Sequence, residues 1–306
     1  MKRYLFKRLI GIIPLLFILA TVSFFIMRIA PGGPFDAERV LPEEVQKNLA
    51  AKYHLDEPLA RQYLRYMTDL LRGDLGPSFK YADRSVNEII GGSLLFSLTF
   101  GGFALCLAVS FGIPLGILAS VRRNSFWDWS GIGVSLIGIS IPNFVIGPVF
   151  ILIFSLELGW FNVAGWRGPK DLILPGLTLA LPYIAYLARL VRAGMLDVMP
   201  QDFIRTARAK GVSEIKVIAK HALPHGILPA VSFLGPASAG IITGSVVIET
   251  IFNLPGLGRH FVYAALNRDY TLVLGTVLLY SLFLVLFNLI VDLFLAMLDP
   301  RIRYEK

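Results

Sequence analysis

The stretch IIGGSLLFSLTFGGFALCLAVSFGIPLGILASV, residues 89–121, decides the fold class. It runs for 33 residues without an Asp, Glu, Lys, Arg or His side chain. A helix needs about 20 apolar residues to cross a bilayer core of about 30 Å. The stretch is longer than one span requires. The sequence therefore predicts a membrane-crossing helix whose extra length at the ends is accommodated by a loop, by tilt of the helix or by an interfacial helix.

Other parts of the chain repeat this pattern. The first such stretch follows four basic residues, as in a signal peptide, but its apolar run is long and no A-x-A cleavage site follows, so we predict a retained helix. We therefore predict an all-α integral membrane protein with six transmembrane helices. The six stretches are Leu9–Met27, Ile89–Val121, Trp129–Leu156, Leu172–Ala188, Gly226–Ile248 and Tyr270–Val291.

The composition excludes an ordinary soluble domain. Of the 306 residues, 55% are hydrophobic and only 16% are charged, whereas soluble domains carry roughly 25% charged residues. The single cysteine, Cys106, excludes an intrachain disulfide and is expected to be a packed residue. Lipid must therefore form part of the surroundings of this chain.

The distribution of Lys and Arg predicts the orientation. With the N-terminus inside, the segments on the inner side hold 16 basic residues, against 4 in the short outer segments 157–171 and 249–269. An excess of basic residues is typical of the cytoplasmic side. We expect both termini in the cytoplasm, and the bias accounts for much of the net charge of +8 without nucleic acid.

These assignments divide the chain into four parts. Residues 1–30 form the first transmembrane helix, and 31–88 form an extracytoplasmic segment with two short helices, the second ending near Gly73. Residues 89–298 form a transmembrane core of five helices that contains a cytoplasmic loop, 193–225. Residues 299–306 form a cytoplasmic tail.

Recurrent enzyme motifs are missing from the sequence. It contains no G-x-x-x-x-G-K-[ST], H-E-x-x-H, C-x-x-C or G-x-S-x-G. His221 and His225 have helical i,i+4 spacing but no third ligand nearby, so we expect no metal site. We interpret the chain as a non-catalytic protein. Carboxylates are scarce inside the spans, which disfavours an ion-coupled carrier without excluding it.

Two short helices are predicted in the loop on the inner side. Asp202 is a candidate cap for a helix that continues through Ala209, and Gly211 is a candidate stop. A second helix is expected from Ser213 to just before Pro224. Such a basic hairpin fits two interpretations, an interfacial element that binds anionic lipid headgroups and a docking element for a protein partner.

Several blocks of this chain carry a resemblance to a known family. Gly211, Leu223 and Pro224 match in register the cytoplasmic loop pattern of ABC importer membrane subunits, E-A-A, three residues, Gly, nine residues, then I-x-L-P. Ala207 matches its second alanine, whereas Arg205, Thr206 and His221 depart from it. The sequence closely resembles the B-type membrane subunit of bacterial oligopeptide ABC importers. The blocks carrying this resemblance are FIRTARAKG (203–211), VIETIFNLPGLG (247–258), LNRDY (266–270), GPSFKY (76–81) and DPRIRY (299–304).

The resemblance implies a type I ABC importer transmembrane fold in the bacterial inner membrane. Its expected partners are a second related permease subunit, two cytosolic ABC ATPases that bind ATP and Mg²⁺, and an extracytoplasmic peptide-binding protein. No cofactor is expected on this chain itself. The implied ATPase-coupling residues are Phe203, Arg205, Thr206, Ala207, Gly211, Leu223 and Pro224.

Alternatives remain open at this point. Relatives for dipeptides, nickel or glutathione share much of the pattern, and a stand-alone secondary carrier, an intramembrane enzyme and a membrane scaffold belong to other classes. For the pathway or its gate, the candidates are Asn143, Glu249, Gly256 and Gly258. Asn143 fits equally a role in satisfying carbonyl groups freed by Pro142, and the Gly256–Gly258 turn fits a purely structural role.

Overall fold

The computed structural model describes residues 2–29, 43–81, 83–242 and 245–298. Within these ranges the regular secondary structure is helical, apart from an isolated β-bridge between Pro77 and Ser85. A π-helical turn covers Ile151–Glu157, and a 3₁₀ turn covers Pro169–Leu172. The α-helices are α1 (Lys2–Ile29), α2 (Glu43–Lys52), α3 (Leu59–Leu71), α4 (Val86–Val121), α5 (Phe126–Ser140), α6 (Asn143–Phe150), α7 (Ile173–Val198), α8 (Asp202–Ala209), α9 (Glu214–Lys216), α10 (Leu223–Gly226), α11 (Leu228–Ile242), α12 (Val246–Ile251), α13 (Leu257–Leu266) and α14 (Tyr270–Leu298).

Five of the described helical stretches are long and apolar enough to cross a membrane, and a bent pair supplies a sixth span if it is counted as one. The prediction of an all-α membrane protein is therefore confirmed. The five stretches are Ile10–Ile29, Val86–Val121, Pro169–Val198, Leu228–Ile251 and Tyr270–Leu295.

The third predicted span, Trp129–Leu156, is broken. Its two halves, Asp128–Ser140 and Asn143–Glu157, meet at an angle of 104°. Pro142 has no N–H to donate and disfavours helical geometry in the residue before it, and Ile141 accordingly has extended torsions, φ −89° and ψ 119°. The stretch predicted as the third span is therefore two helices that meet at Pro142.

Two other spans differ in length from their predictions. α4 is one continuous helix of 36 residues, so of the three expectations for the ends of this stretch, which were loop, tilt and interfacial helix, only loop is excluded. α7 continues to Val198, ten residues beyond the predicted end at Ala188. The charged residues Arg189 and Arg192 do not end this helix, because Arg192 is paired with a carboxylate of α5, as described below.

The chain divides into two compact units. The first contains Leu98–Leu254 and the chain from Leu284 onward. α7 is its central helix and packs against α5, α6, α10, α11 and α12. The small-residue pair Gly112 and Gly116 brings α4 close to α7, since a Cβ at Gly116 would lie 2.6 Å from the Ala188 carbonyl oxygen.

One further expectation concerns this first unit. Cys106 is exposed rather than packed, so the expectation for it was wrong. The sequence also has a second G-x-x-x-G pair, Gly240 and Gly244, and a Cβ built at Gly240 lies 3.4 Å from the Tyr183 hydroxyl. Its partner Gly244 falls outside the described residues.

The second unit contains Lys2–Ser97 and Pro255–Phe283. Its core includes Val86, Ile90, Leu257 and Leu272. The carboxylate of Asp269, fully buried, accepts hydrogen bonds from Ser78 Oγ, from the Phe79 N–H at 3.1 Å, and from the Thr271 hydroxyl and the Leu272 N–H. Asp269 thus caps α14 and holds the loop around Ser78.

The two short helices predicted between residues 31 and 88 are α2 and α3. Gly73, at φ +77°, ends α3 as predicted, with Asp74 N–H bonded to the Asp69 carbonyl at 2.9 Å. α3 does not rest above the first span but lies along it. The Tyr63 hydroxyl is 2.8 Å from Thr21 Oγ1, and the Tyr63 ring stacks on Phe25.

A candidate coupling helix and pathway residues

The predicted docking helix forms as α8, with one face buried and the other exposed. Ile204 and Ala207 are buried where α8 packs against the segment Val217–Ala222. Phe203, Arg205 and Thr206 are exposed. An eight-residue helix is short for independent stability in water, so the buried face is what holds α8 in place and aims its other face outward.

The turn after α8 is closed by Gly211. Its φ is +74°, a left-handed conformation that glycine adopts without a Cβ penalty. The Gly211 N–H donates to the Arg208 carbonyl at 2.9 Å, and the Val212 N–H donates to the Ala207 carbonyl at 3.3 Å. This pair of bonds is a Schellman motif, so the role of Gly211 as helix stop is confirmed.

An ion pair also spans the turn. Arg208 donates from Nε and Nη2 to the Glu214 carboxylate at 3.1 and 2.6 Å. The hydrogen bond from Arg208 lowers the pKa of Glu214 below its ordinary value. The two-pronged contact links α8 to the start of α9 and limits hinge motion between them.

The start of α8 and the end of the second helix differ from their predictions. Asp202 is the first residue of α8 and Gln201 is its cap, which lacks a side-chain cap bond. The second helix begins after Ser213 as expected but does not stop before Pro224. It passes through a π-helical segment, Val217–Ala222, into α10. A wider turn just ahead of a proline accommodates the missing N–H.

α10 packs closely against the transmembrane helix α7 where a glycine of each helix meets the other. A Cβ at Gly194 would lie only 2.2 Å from the Gly226 carbonyl oxygen, and one at Gly226 would lie 2.7 Å from Met195 Sδ. The Phe203 and His225 rings meet edge to face at 5.4 Å between centroids. Sequence reasoning missed this crossing, because its glycines lie far apart in the chain and carry no shared motif.

An ion pair joins α5 to α7 two residues before Gly194. Arg192 donates from Nε to Asp128 Oδ1 at 2.6 Å and from Nη2 to Oδ2 at 3.0 Å. The Asp128 side chain is only 3% exposed. Arg192 therefore forms a bidentate pair with a buried carboxylate.

The coupling residues implied by the resemblance do not form one exposed surface. Phe203, Arg205, Thr206 and Gly211 are exposed, whereas Ala207 is only 6% exposed and packs within the chain. Leu223 and Pro224 are partly buried at the start of α10. Only the first group is therefore accessible to a protein partner, and Ala207 packs beneath the exposed face of α8.

The pathway candidates lie in different elements. Asn143 begins α6 at the 104° break, and its Oδ1 is buried without a hydrogen-bond partner among the described residues. Glu249 is fully buried in α12, which packs against α6. Ile251 and Phe252 contact Gly147 there, with built-Cβ distances of 3.5 and 3.4 Å. A gating role for these residues stays a prediction.

The glycine turn belongs to the second compact unit. Gly256 is the cap of α13, and Gly258 is buried in its first turn. The N–H of Leu257, between them, donates to Ser97 Oγ at 2.8 Å. The GLG stretch is therefore the start of a helix that is hydrogen-bonded to α4. Its role in a gate likewise stays a prediction.

The described residues contain no group of three or more His, Cys, Asp or Glu side chains placed to hold a metal ion. His225 instead packs on Phe203, and His221 is partly buried in the π-helical segment. What the candidate site offers, among the described residues, is the set of exposed side chains on α8, which can contact a protein.

Comparisons with known proteins agree with this geometry. The chain matches the family described as binding-protein-dependent transport system inner membrane component over residues 112–304, and the N-terminal model of the same description over residues 1–85. In structure it resembles the MetNI methionine ABC transporter in its inward-facing conformation, with a TM-score of 0.56 and 17% identity, over 69% of this chain and 96% of that one. At this identity the likeness concerns the fold alone.

Curated relatives match along the full length. The oligopeptide transport system permease protein OppB of Haemophilus influenzae is 49% identical and that of Escherichia coli K12 is 48% identical, each over 99% of this chain and 100% of the relative. The dipeptide transport system permease protein DppB of Bacillus subtilis is 42% identical, over 100% of this chain and 99% of the relative. With its apolar helices, this chain is a multi-pass inner-membrane protein, and it belongs to the family of binding-protein-dependent transport system inner membrane components.

Proposed function

We propose that this chain is a permease subunit of an ATP-driven peptide importer, with oligopeptides as its substrates. One observation carries the proposal. α8 presents an exposed face, and it is connected to the transmembrane helix α7 by tight packing through Val217–Ala222 and α10. The names of the OppB relatives reported above support the substrate class. The chain is a non-catalytic subunit, and in this account ATP and Mg²⁺ bind to partner ATPases.

The proposed assembly contains a second related permease subunit, two ABC ATPases and an extracytoplasmic peptide-binding protein. Both termini and α8 face the cytoplasm, as the distribution of basic residues predicts. The exposed residues Phe203, Arg205 and Thr206 would enter a cleft on one ATPase. Closure of the ATPases on ATP would then displace α8, and hydrolysis would return it.

A displacement of α8 has a short path into the membrane. Ile204 and Ala207 pack on Val217–Ala222, which leads directly into α10 and the contact of Gly226 with Gly194. Packed elements of this kind move as bodies and pass on a shift that a loose loop would absorb. The peptide pathway would open to alternate sides as α7 and its neighbours reorient.

The 104° break in the third span is the proposed place where this chain meets its substrate. A proline-broken helix at membrane depth is tolerated where the backbone is buried in protein or lines a water-filled cavity. The unpartnered Oδ1 of Asn143 offers an acceptor for a peptide N–H. Glu249, Gly256 and Gly258 remain candidates for a gate.

Reconstitution of the whole assembly tests the function. Proteoliposomes with the four partner proteins and internal ATP should accumulate labelled peptides of three to five residues, and omission of the ATPases should abolish uptake. Preferential uptake of dipeptides would favour the specificity named for the Bacillus relative. Uptake by this chain alone under an ion gradient would contradict the proposal.

A further inference from the structure

The second compact unit contains a polar cavity at the end of the first span. Its volume is about 320 Å³, and its wall includes the aromatic rings of Phe24, Tyr53, Tyr66 and Phe79. The lining comes from α1, the end of α2 with the turn after it, α3, the loop before α4 and the start of α14. The cavity does not overlap the coupling helix or the pathway candidates, so it is free for another role.

One cation in this wall lacks a counterion. The Arg28 guanidinium lies 5.3 Å from the centroid of the Phe24 ring and forms no hydrogen bond or ion pair with another described residue. The other basic groups are engaged, since Arg65 is 2.7 Å from Glu57 and Lys52 is 4.0 Å from Asp83. A partly desolvated arginine of this kind favours an anion whose oxygen atoms accept two parallel hydrogen bonds, such as a phosphate.

Two buried oxygen atoms of the same wall also lack partners. Neither Tyr66 Oη nor Gln62 Oε1 has a hydrogen-bond partner among the described residues. Burial raises the pKa of Tyr66 to about 12, so its hydroxyl stays protonated and can donate. Asp69 supplies a carboxylate to the wall. These groups match a ligand that carries an amine as well as a phosphate.

An apolar groove begins where the polar cavity ends. It has a volume of about 450 Å³, and Leu75 borders both spaces. Its lining is entirely apolar and comes from α1, α3, the loop after α3 and the first part of α14. The lining residues are Ile13, Leu16, Phe17, Met67, Leu70, Leu71, Leu75, Gly275, Leu278, Leu279 and Leu282.

The two spaces have the spacing of one lipid leaflet. Phe17 in the groove and Arg28 in the cavity are 11 positions apart on α1, which is about 16 Å at about 1.5 Å per residue. Half of a hydrocarbon core of about 30 Å is about 15 Å. A phosphate at Arg28 therefore lies at headgroup depth, and the near end of the groove, at Phe17, lies about one leaflet away. The far end of the groove on α1, at Ile13, lies about 6 Å further along the helix.

We propose that this unit binds one phospholipid, with its headgroup phosphate on Arg28, its amine facing Asp69 and an acyl chain along the groove of α1, α3 and α14. The site is independent of the proposed transport function. A protein partner would match the groove, but it would not explain the continuity of the groove with a charged cavity at headgroup depth.

Lipid retention in the purified transporter complex tests the site. The complex is extracted in mild detergent from vesicles of equal phosphatidylethanolamine and phosphatidylglycerol, and bound phospholipid is counted by mass spectrometry. Arg28→Gln removes the phosphate contact, and Met67→Trp fills the groove. Arg61→Gln is the control, because Arg61 is an exposed arginine of α3 outside both linings.

The proposal predicts one retained phosphatidylethanolamine in the unmodified complex and in Arg61→Gln, and at least tenfold less in the other two variants. Titration of the delipidated complex with short-chain phosphatidylethanolamine should show the same order, and inorganic phosphate should bind at least tenfold more weakly. Equal retention in Arg28→Gln, no bound lipid in the unmodified complex, or equal affinity for inorganic phosphate would each overturn it.

Discussion

Gly194 of α7 and Gly226 of α10 are in direct backbone contact, so close that a Cβ at Gly194 would lie 2.2 Å from the Gly226 carbonyl oxygen. No side chain separates the transmembrane helix from the end of the candidate coupling segment. A movement of one element is therefore transmitted to the other through packed backbone.

Replacement of Gly194 tests this contact. Gly194→Ala forces the two helices apart and should destabilise the assembled complex by about 1–3 kcal/mol, as overpacked cores do, and should slow ATP-driven uptake. Gly133→Ala is the matched control, since a Cβ there meets no atom within 4 Å and alanine favours the helix. Thermal unfolding and transport are measured on both, and equal behaviour of the two variants would contradict a tight crossing.

The buried pair of Asp128 and Arg192 should contribute to stability. Asp128→Asn leaves the arginine without its counterion, and we expect a loss of about 3 kcal/mol, at the lower end for buried pairs because the Arg192 side chain is 25% exposed. Asp202→Asn is the control, since its side chain is 96% exposed. Denaturation in detergent compares the two, and a shift no larger than that of the control would show that the pair is dispensable.

The left-handed conformation of Gly211 predicts a graded series. Asn tolerates positive φ better than Ala, whereas Pro also removes the N–H that bonds to the Arg208 carbonyl. Uptake should therefore decrease from glycine to Asn, then Ala, then Pro, with membrane insertion unchanged in all. A radioactive-peptide uptake assay with quantified membrane protein checks the order. Normal uptake by Gly211→Pro would exclude a need for this turn.

His260 predicts a pH dependence in the second compact unit. Burial, with Arg259 and Arg84 nearby, lowers the pKa of His260, and its ring also faces Tyr81 at 6.1 Å. The folded state therefore binds its proton less readily than the unfolded state, so stability is lost as pH falls through about 6.5. Hydrogen exchange of α13 amides at pH 7.5 and 5.5 measures this when each rate is divided by the intrinsic exchange rate at the same pH.

Two histidine variants show whether His260 causes the pH dependence. His260→Gln should remove the extra exchange at the lower pH, and His221→Gln, altered in the other unit, should keep it. Persistence of the effect in His260→Gln would assign it to another group.

The sequence located most membrane spans because a run of apolar residues has no other stable environment than lipid or a large core. It also located α8 within one residue, since Gly211 ends a helix by a local mechanism that needs no distant partner. The break at Pro142 was visible as a proline, but its angle of 104° depends on packing around both halves.

Tertiary partners explain what was missed. Asp128 and Arg192 are 64 positions apart, and neither carries a local signal of the other. Ala207 matched a family motif, yet whether it faces the protein or a partner depends on how α8 lies on Val217–Ala222. Pro224 was expected to stop a helix because proline has no N–H to donate. The wider turns of the π-helical segment ahead of it accommodate the missing hydrogen bond instead, and the helix continues.

Crosslinking from α8 tests the central claim most directly. In a Cys106→Ser background, Thr206→Cys and Ala207→Cys place a thiol on the exposed and the buried face of the same helix. With an engineered cysteine on the ATPase cleft, Thr206→Cys should crosslink with a yield that changes on ATP binding, and Ala207→Cys should crosslink at least tenfold less. Absence of any ATPase crosslink from Thr206→Cys, in a complex that still imports peptide, would contradict coupling through this helix.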